Sequence, residues 1–168
     1  MQPEKASRAD IDGIMEIVDD AKAYFRSRGI HQWQNGYPNP DSIAGDIENG
    51  CGYLLRDEKG PAAYASISFG GEPTYAVIEE GSWRSGEPFA VMHRVCVKSG
   101  YKGRGTASLF LEKAARLCRE RNIHWLRMDT HRDNLSMQRF LLKNGFQYRG
   151  IIHLENGDPR LAYDRFVP

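Results

Sequence analysis

Apolar residues recur at spacings of three and four positions over residues 6–24, which predicts a helix with one apolar face. Ser7 or Asp10 can cap the start of this helix, and Gly29 ends it. A second, shorter helix is predicted over residues 41–49. The apolar face of the first helix consists of Ile11, Ile14, Met15, Val18 and Ala21.

Beyond residue 50 the pattern changes to short apolar segments typical of strands. Residues 52–56 and 62–69 are two such segments, and the sequence Asp57-Glu58-Lys59-Gly60 between them favours a hairpin turn. Glycines punctuate the next stretch, in which a short element is predicted over residues 74–80. Residues 89–98 form the clearest strand candidate of the chain.

Helices and strands alternate over the remaining residues. A helix is predicted over residues 105–121, a strand over 124–130 and a further helix over 135–144. Two more strands are predicted, at residues 146–154 and 160–166. Hairpins in the middle and alternation at the end predict an α/β fold, of the mixed α+β kind, in which a mixed sheet carries helices on its faces.

Composition limits the classes to which the protein can belong. The chain has 168 residues, of which 40% are hydrophobic and 27% charged, so we expect one globular domain over residues 1–168. A formal net charge of +1 argues against a dedicated nucleic-acid binder, which would be strongly basic. No apolar run has the length of a membrane span, and the polar start Met1-Gln2-Pro3-Glu4-Lys5 does not resemble a signal peptide.

The cysteines point to a reducing compartment. Cys51, Cys96 and Cys118 are odd in number and far apart, so they form neither a disulfide framework nor a metal-binding knuckle. We therefore expect a cytoplasmic protein of enzyme size, without a metal.

The most informative segment runs from Val95 to Ala107, where a predicted strand ends, a glycine-rich turn follows and a long helix begins. Backbone N–H groups in such a turn, together with the positive end of the helix dipole, make an anion site. The segment has neither the Walker pattern nor the spacing of a dinucleotide fingerprint. Taken alone, it could also be a tight strand-to-helix connection in which glycine only forms the turn.

Two motifs resemble those of the GNAT superfamily of N-acetyltransferases. Lys102-Gly103-Arg104-Gly105-Thr106-Ala107 is similar to the family's pyrophosphate loop, written [QR]-x-x-G-x-[GA], with Lys102 in place of Gln or Arg. That departure keeps the positive charge but loses the planar guanidinium fork. The segment from Asn134 to Phe146 is similar to the second signature, in which an Asn opens a helix that ends in Gly-Phe.

The resemblance implies a GNAT-like central mixed sheet with two splayed parallel strands, here residues 89–98 and 124–130, and helices on both faces. It implies acetyl-CoA as co-substrate and transfer of its acetyl group to a primary amine by direct attack. Open alternatives are a non-catalytic acyl-CoA-binding module of the same fold and an enzyme of other chemistry with a phosphate-containing ligand. The cofactor-binding residues it implies are Val95, Cys96, Val97, Lys102, Gly103, Arg104, Gly105, Thr106, Ala107, Asn134, Phe140 and Lys143.

Catalysis needs a base, because an aliphatic amine with a pKa near ~10 is protonated at neutral pH. We predict His93 for this role, on the same side of its strand as Val95 and Val97. His93 could equally be a partly buried histidine with a structural hydrogen bond. The alternative bases are Glu79, Glu80 and Glu87.

The family's usual acid, a tyrosine in the second signature helix, aligns with Leu141. The usual acid is therefore missing, and Tyr148 is the predicted substitute. Tyr101, Tyr163 or water are alternatives.

The resemblance does not choose the acceptor, which is a small-molecule amine or a peptide. Trp33 and Tyr37 lie in the region that forms one wall of the acceptor site in the family, and either could stack on an apolar or cationic group. Each could equally anchor its loop to the sheet. His131 could shuttle protons at a strand end or order its own loop. No nucleic-acid or membrane partner is expected, and a homodimer is left open.

Overall fold

The computed structural model describes residues 1–168 and contains one mixed sheet of seven strands in the order β1-β2-β3-β4-β5-β7-β6. The strands are β1 (Glu4–Lys5), β2 (Gly52–Asp57), β3 (Gly60–Phe69), β4 (Phe89–Val97), β5 (Trp125–Thr130), β6 (Gln147–His153) and β7 (Pro159–Phe166). The helices are α1 (Ile11–Ser27), α2 (Pro40–Glu48), α3 (Thr106–Glu120) and α4 (Leu135–Lys143), with 3-10 turns at Arg8–Asp10, Pro73–Tyr75 and Ser99–Tyr101. None of the helices combines the length and the apolar character needed to cross a lipid bilayer.

Contacts divide the chain into two units, the first of which contains residues 1–67 and 93–113. In this unit β2 and β3 form an antiparallel hairpin, and α2 begins where the Asn39 side chain accepts a hydrogen bond from the Ser42 amide (2.9 Å). The apolar face predicted for α1 supplies much of the core. One cluster of buried core residues in the unit consists of Ile14, Ile17, Val18, Ala21, Ile43, Leu54, Tyr64 and Cys96.

The second unit contains residues 68–92 and 114–168. β7 pairs antiparallel with both β5 and β6, and the beginning of β4 pairs in parallel with β5. Residues 73–88, which we call the covering segment, pack on this part of the sheet. They contribute to a core cluster formed by Tyr75, Val91, Ile152 and Ala162.

The structure confirms the predicted mixed α/β fold, with bounds that shift by a few residues. The two-residue strand β1 was not predicted, because two polar residues carry no periodicity. The short element expected over residues 74–80 is a 3-10 turn followed by a single antiparallel bridge between Glu79 and Ile151. One domain over residues 1–168 stays a prediction.

Candidate active site

The glycine-rich turn after β4 is fastened at both ends within the first unit. The Ser99 amide and hydroxyl donate to the Asp20 carboxylate at 2.7 and 2.8 Å. The Tyr101 hydroxyl donates to Asp57 (2.7 Å), and the Thr106 hydroxyl donates to the Tyr101 carbonyl (3.0 Å). These contacts fix the turn before any ligand is present.

Between those anchors the backbone presents a row of unpaired donors. The amides of Lys102 and Ser108 donate to Ser99 and Gly105 carbonyls, whereas the N–H groups of residues 103–107 have no acceptor within the chain. Gly103 and Gly105 both have φ of +75°, and a Cβ at either would point into open space. Five free N–H groups, in the turn and at the start of α3, favour the binding of an anion.

The three cations of this segment differ in how they are held. The Lys102 ammonium lies 4.0 Å from the centroid of the Tyr24 ring, and Lys98 lies 3.5 Å from Glu16. Arg104 is exposed. Arg104 therefore keeps the greatest freedom to reach a bound anion.

β4 is not a regular strand, because Arg94 has φ of +52°. Side chains alternate only along extended backbone, so His93 is not held to the side of β4 that Val95 and Val97 share. The alternation behind the prediction that all three point to one side is interrupted at Arg94, and the direction of the His93 side chain stays a prediction. The Cys96 side chain is buried in the core of the first unit, with its Sγ 3.9 Å from the Tyr64 carbonyl, and only its backbone can serve a ligand.

An ion pair that the sequence analysis missed holds Arg94. Its Nε donates to Asp46 Oδ2 (2.7 Å), its Nη2 donates to Asp46 Oδ1, and its Nη1 donates to the Tyr37 hydroxyl (2.5 Å). Asp46 also accepts hydrogen bonds from Tyr64 (2.8 Å) and Ser66 (3.2 Å). An arginine within an otherwise apolar strand was the available signal for a buried partner.

The two aromatic residues predicted for the acceptor wall have different environments. Trp33 packs edge-on against Phe25, with ring centroids 5.6 Å apart, and so anchors its loop to α1. Tyr37 is 38% exposed, and its hydroxyl is held by Arg94. Of the pair, Tyr37 presents more surface to a ligand.

In the second unit, two predicted site residues stabilise the chain around α4. His131 Nδ1 accepts a hydrogen bond from the Asp133 amide (3.1 Å) and lies 3.7 Å from the Asp133 carboxylate, contacts that order its loop. Asn134 is buried and caps α4 by accepting from the Met137 amide (3.1 Å). Phe140 is half-buried and Lys143 is exposed, so both side chains are accessible.

The alternative glutamate bases are held in the covering segment. Glu87 accepts a hydrogen bond from the Trp125 ring N–H (3.0 Å), and the backbone of Glu79 forms the bridge to β6. Glu80 is exposed, with φ of +56°. Glu87 therefore has a structural role that explains its presence.

A second interaction that the sequence analysis missed joins Tyr75 to β5. The buried Tyr75 hydroxyl donates to Asp129 Oδ2 at 2.6 Å. Burial, and then the charge of Asp129, raise the pKa of Tyr75 well above its ordinary value, so the hydroxyl stays protonated. No motif spacing connects residues 75 and 129, so no sequence signal could have found this contact.

Comparison with known proteins decides the family. The sequence model of the acetyltransferase (GNAT) family matches residues 14–146, which include both motifs. The chain belongs to the GNAT acetyltransferase family. No curated protein sequence is significantly similar to it.

Solved GNAT structures agree with this assignment. The chain is 34% identical to a GNAT-family acetyltransferase of Streptococcus agalactiae 2603, with a TM-score of 0.87 over 98% of this chain and 94% of that one. A GNAT acetyltransferase of Listeria monocytogenes 4b F2365 is 20% identical, with a TM-score of 0.74 over 98% and 93% of the two chains. The PaiA N-acetyltransferase of Thermoplasma acidophilum, solved with coenzyme A, is 14% identical, with a TM-score of 0.71 over 98% of each chain. The last two share the fold.

This GNAT chain departs from the family pattern at the helix that usually carries the tyrosine acid. Leu141 is fully buried and carries no group that could donate a proton. Tyr148, the predicted substitute, is 45% exposed, and its ring packs edge-on against Tyr163 with centroids 5.8 Å apart. Its role in catalysis stays a prediction.

Proposed function

We propose that this GNAT protein is an acetyl-CoA-dependent N-acetyltransferase that moves the acetyl group from the thioester to a primary amine. The observation that carries the proposal is the row of five unpaired N–H groups over residues 103–107, at the start of α3. A pyrophosphate has several anionic oxygens, each able to accept from more than one such group. The free guanidinium of Arg104 adds charge at the same place.

The remainder of the cofactor is assigned to the backbone of β4. Parallel pairing with β5 covers three residue pairs, from Phe89–Trp125 to Val91–Arg127, and β4 then continues to Val97. The pantetheine arm carries two amides, which can bond to strand backbone as an added strand would. Val95, Cys96 and Val97 are the residues proposed for these bonds, and an N–H of the same strand is proposed to stabilise the oxyanion.

In the proposed reaction the neutral amine nitrogen attacks the thioester carbon, which forms the C–N bond and breaks the C–S bond. The ammonium form of the amine must first lose a proton, and His93 or a water that it orients is the proposed acceptor. The electron pair of the C–S bond leaves with the sulfur of coenzyme A, and the proton that the nitrogen loses as the amide forms passes to that sulfur directly or through water. A thiol of pKa ~8.5 needs little acid assistance, which is consistent with Leu141 in place of a tyrosine.

Substitution of Gly105 tests the anion site. Asn tolerates a left-handed backbone better than other side chains, so Gly105→Asn should leave the protein folded while its side chain occupies the space of the phosphate. Gly29→Asn is the matched control, because Gly29 has φ of +66° and also faces open space. By calorimetric titration, we expect Gly105→Asn to weaken acetyl-CoA binding at least ~10-fold and Gly29→Asn to leave it unchanged.

Equal affinity for acetyl-CoA in the two variants would contradict the site. Release of free thiol with a panel of amines then tests transfer itself. Tight acetyl-CoA binding without turnover on any amine would favour the non-catalytic acyl-CoA-binding module. The proposed location is the cytoplasm, where the thiols of Cys51, Cys96 and Cys118 stay free.

A further inference from the structure

Arg160, the second residue of β7, is a buried arginine without an ionic partner. It is only 7% exposed, and its one hydrogen bond runs from Nη1 to the carbonyl of Pro159 (2.9 Å). No carboxylate lies within ion-pair distance of it. Its remaining N–H groups have no partner in the chain, but they are not fully enclosed either. The guanidinium is therefore recessed, but its remaining donors keep some contact with solvent.

The other buried or half-buried arginines have partners within the chain, although the enclosed Nε of Arg127 has no hydrogen bond. Arg94 is paired with Asp46, and Arg149 donates to Asp164. Arg127 lies between the rings of Trp83 and Phe89, with centroid distances of 4.2 and 3.9 Å, and donates to the Ser85 carbonyl. Both rings pack against its guanidinium.

Arg160 differs from these arginines, because a recessed cation with open donors is stabilised when an external anion completes its hydrogen bonds.

The sheet places Arg160 beside Asp129. Asp129 is paired with Ala162 in the β5–β7 register, and Arg160 precedes Ala162 by two residues on the same face of β7. Diagonal neighbours of this kind lie about 7–8 Å apart between strands. Burial lowers the pKa of Arg160, and the charges of Asp129 and Asp158 oppose that shift. The recess thus contains one positive group with negative groups close to it.

This arrangement selects among anions. Asp129 and Asp158 would repel a phosphate dianion more strongly than a carboxylate, which carries a single charge and matches the guanidinium fork. A molecule that carries an ammonium group as well as a carboxylate matches both signs of charge at once. The Tyr75 hydroxyl donates a hydrogen bond to the Asp129 carboxylate and so holds the Asp129 side chain in place.

We propose that the acceptor amine of this protein is a free amino acid or a similar small amino carboxylate, and that Arg160 binds its carboxylate. Asp129 attracts its ammonium group. The inference rests on the proposed acetyl transfer, because it concerns the second substrate of that reaction. It places a specificity-determining residue at the start of β7, a position that neither motif contains.

The experiment compares the twenty L-amino acids with the amides of the best substrates among them, in the presence of acetyl-CoA. We expect kcat/KM for the free acid to exceed that for its amide by roughly 10–100-fold, the effect of one charged hydrogen-bonded pair. In Arg160→Gln this preference should disappear, mostly because KM for the free acid rises. The value of kcat/KM for the amide should change less than about threefold. Arg165→Gln is the control, because it removes the same charge from the opposite face of β7.

Two results would overturn the inference. One is a wild-type protein that acetylates amides and simple amines as well as it does amino acids. The other is an Arg160→Gln variant that loses activity on acids and amides alike.

A direct titration of amino acids into the protein loaded with coenzyme A separates this inference from the proposed function. One outcome is that amino acids bind, that Arg160→Gln removes this binding and that no acetyl transfer occurs. This outcome would support the carboxylate site and contradict the proposed transferase. Acetyl transfer to amines without any preference for a carboxylate would support the transferase and contradict the carboxylate site. The absence of both binding and transfer would contradict both proposals.

Discussion

Arg94 and Asp46 form a two-point ion pair, in which Nε and Nη2 of the arginine each donate to a different carboxylate oxygen. Both side chains are largely buried, and Arg94 has a left-handed backbone with φ of +52°. Such a backbone is unfavourable for a residue with a Cβ, so it persists only where its surroundings fix it. The ion pair fixes the backbone at Arg94, which lies three residues beyond Val91, the last residue of β4 that pairs with β5.

Substitutions at Arg94 should separate the ion pair from the backbone strain. Both Arg94→Ala and Arg94→Gly leave Asp46 without its main partner, and this loss alone should lower the free energy of unfolding by about 3 kcal/mol in each. Glycine has no penalty at positive φ, so Arg94→Gly should be about 1 kcal/mol more stable than Arg94→Ala. Urea denaturation measures the difference. An alanine variant as stable as the glycine variant would show that the backbone is not strained.

Two glycines of the covering segment provide a matched pair. A Cβ on Gly81 would lie 1.9 Å from the carbonyl oxygen of Arg149, whereas one on Gly86 would meet nothing within 4 Å. Gly81→Ala must therefore push the segment away from β6 and should cost about 2–3 kcal/mol, while Gly86→Ala should stay within about 0.5 kcal/mol of the wild type. Thermal unfolding of the three proteins checks both values. Equal stabilities would mean that the segment is not docked on β6.

The sequence predicts features that depend on neighbouring residues, but it does not predict contacts between residues far apart in the chain. The helix face around Ile14 and the turn containing Gly105 follow from local periodicity and local backbone chemistry, and the structure has both. The contacts of Arg94 with Asp46 and of Tyr75 with Asp129 join residues far apart in sequence. Side-chain pairs of this kind depend on which strands become neighbours, and periodicity does not specify that. The left-handed residue in β4 was missed because arginine carries no signal for positive φ.

Lys102 should contribute to acetyl-CoA binding through charge alone. Its ammonium rests on the Tyr24 ring, so Lys102→Ala should weaken binding less than ~10-fold, and the loss should shrink in 0.5–1 M salt. Lys5→Ala is the control, because Lys5 lies 4.2 Å from the centroid of the Tyr53 ring but belongs to β1. Titrations at two salt concentrations make the measurement. A loss independent of salt would show that Lys102 acts by a short-range contact instead.

Cys96 should make stability fall at alkaline pH. Burial raises the pKa of its thiol from 9.0 to about 12, so between these values the thiol ionises only in the unfolded chain. The resulting contribution to stability is complete below pH 9 and is lost as pH rises towards 12. Relative to Cys96→Ala, the wild type should therefore lose about 1.4 kcal/mol between pH 8 and pH 10. Denaturation of both proteins under reducing conditions tests this, and a constant difference would contradict it.

Catalysis should depend on a base and not on a tyrosine acid in α4, since Leu141 is buried at the position where the family has that tyrosine. An ammonium with a pKa near ~10 must lose its proton throughout the neutral range, whereas a thiolate of pKa ~8.5 leaves without much help. The rate should therefore rise with pH, without loss of an essential acid below about pH 8. His93→Ala should lower kcat far more than Tyr148→Phe, whose ring still packs against Tyr163. Paired pH–rate curves on the best acceptor decide between the two residues: if Tyr148→Phe abolishes turnover and His93→Ala does not, Tyr148 is the acid and the base-dominated mechanism is wrong.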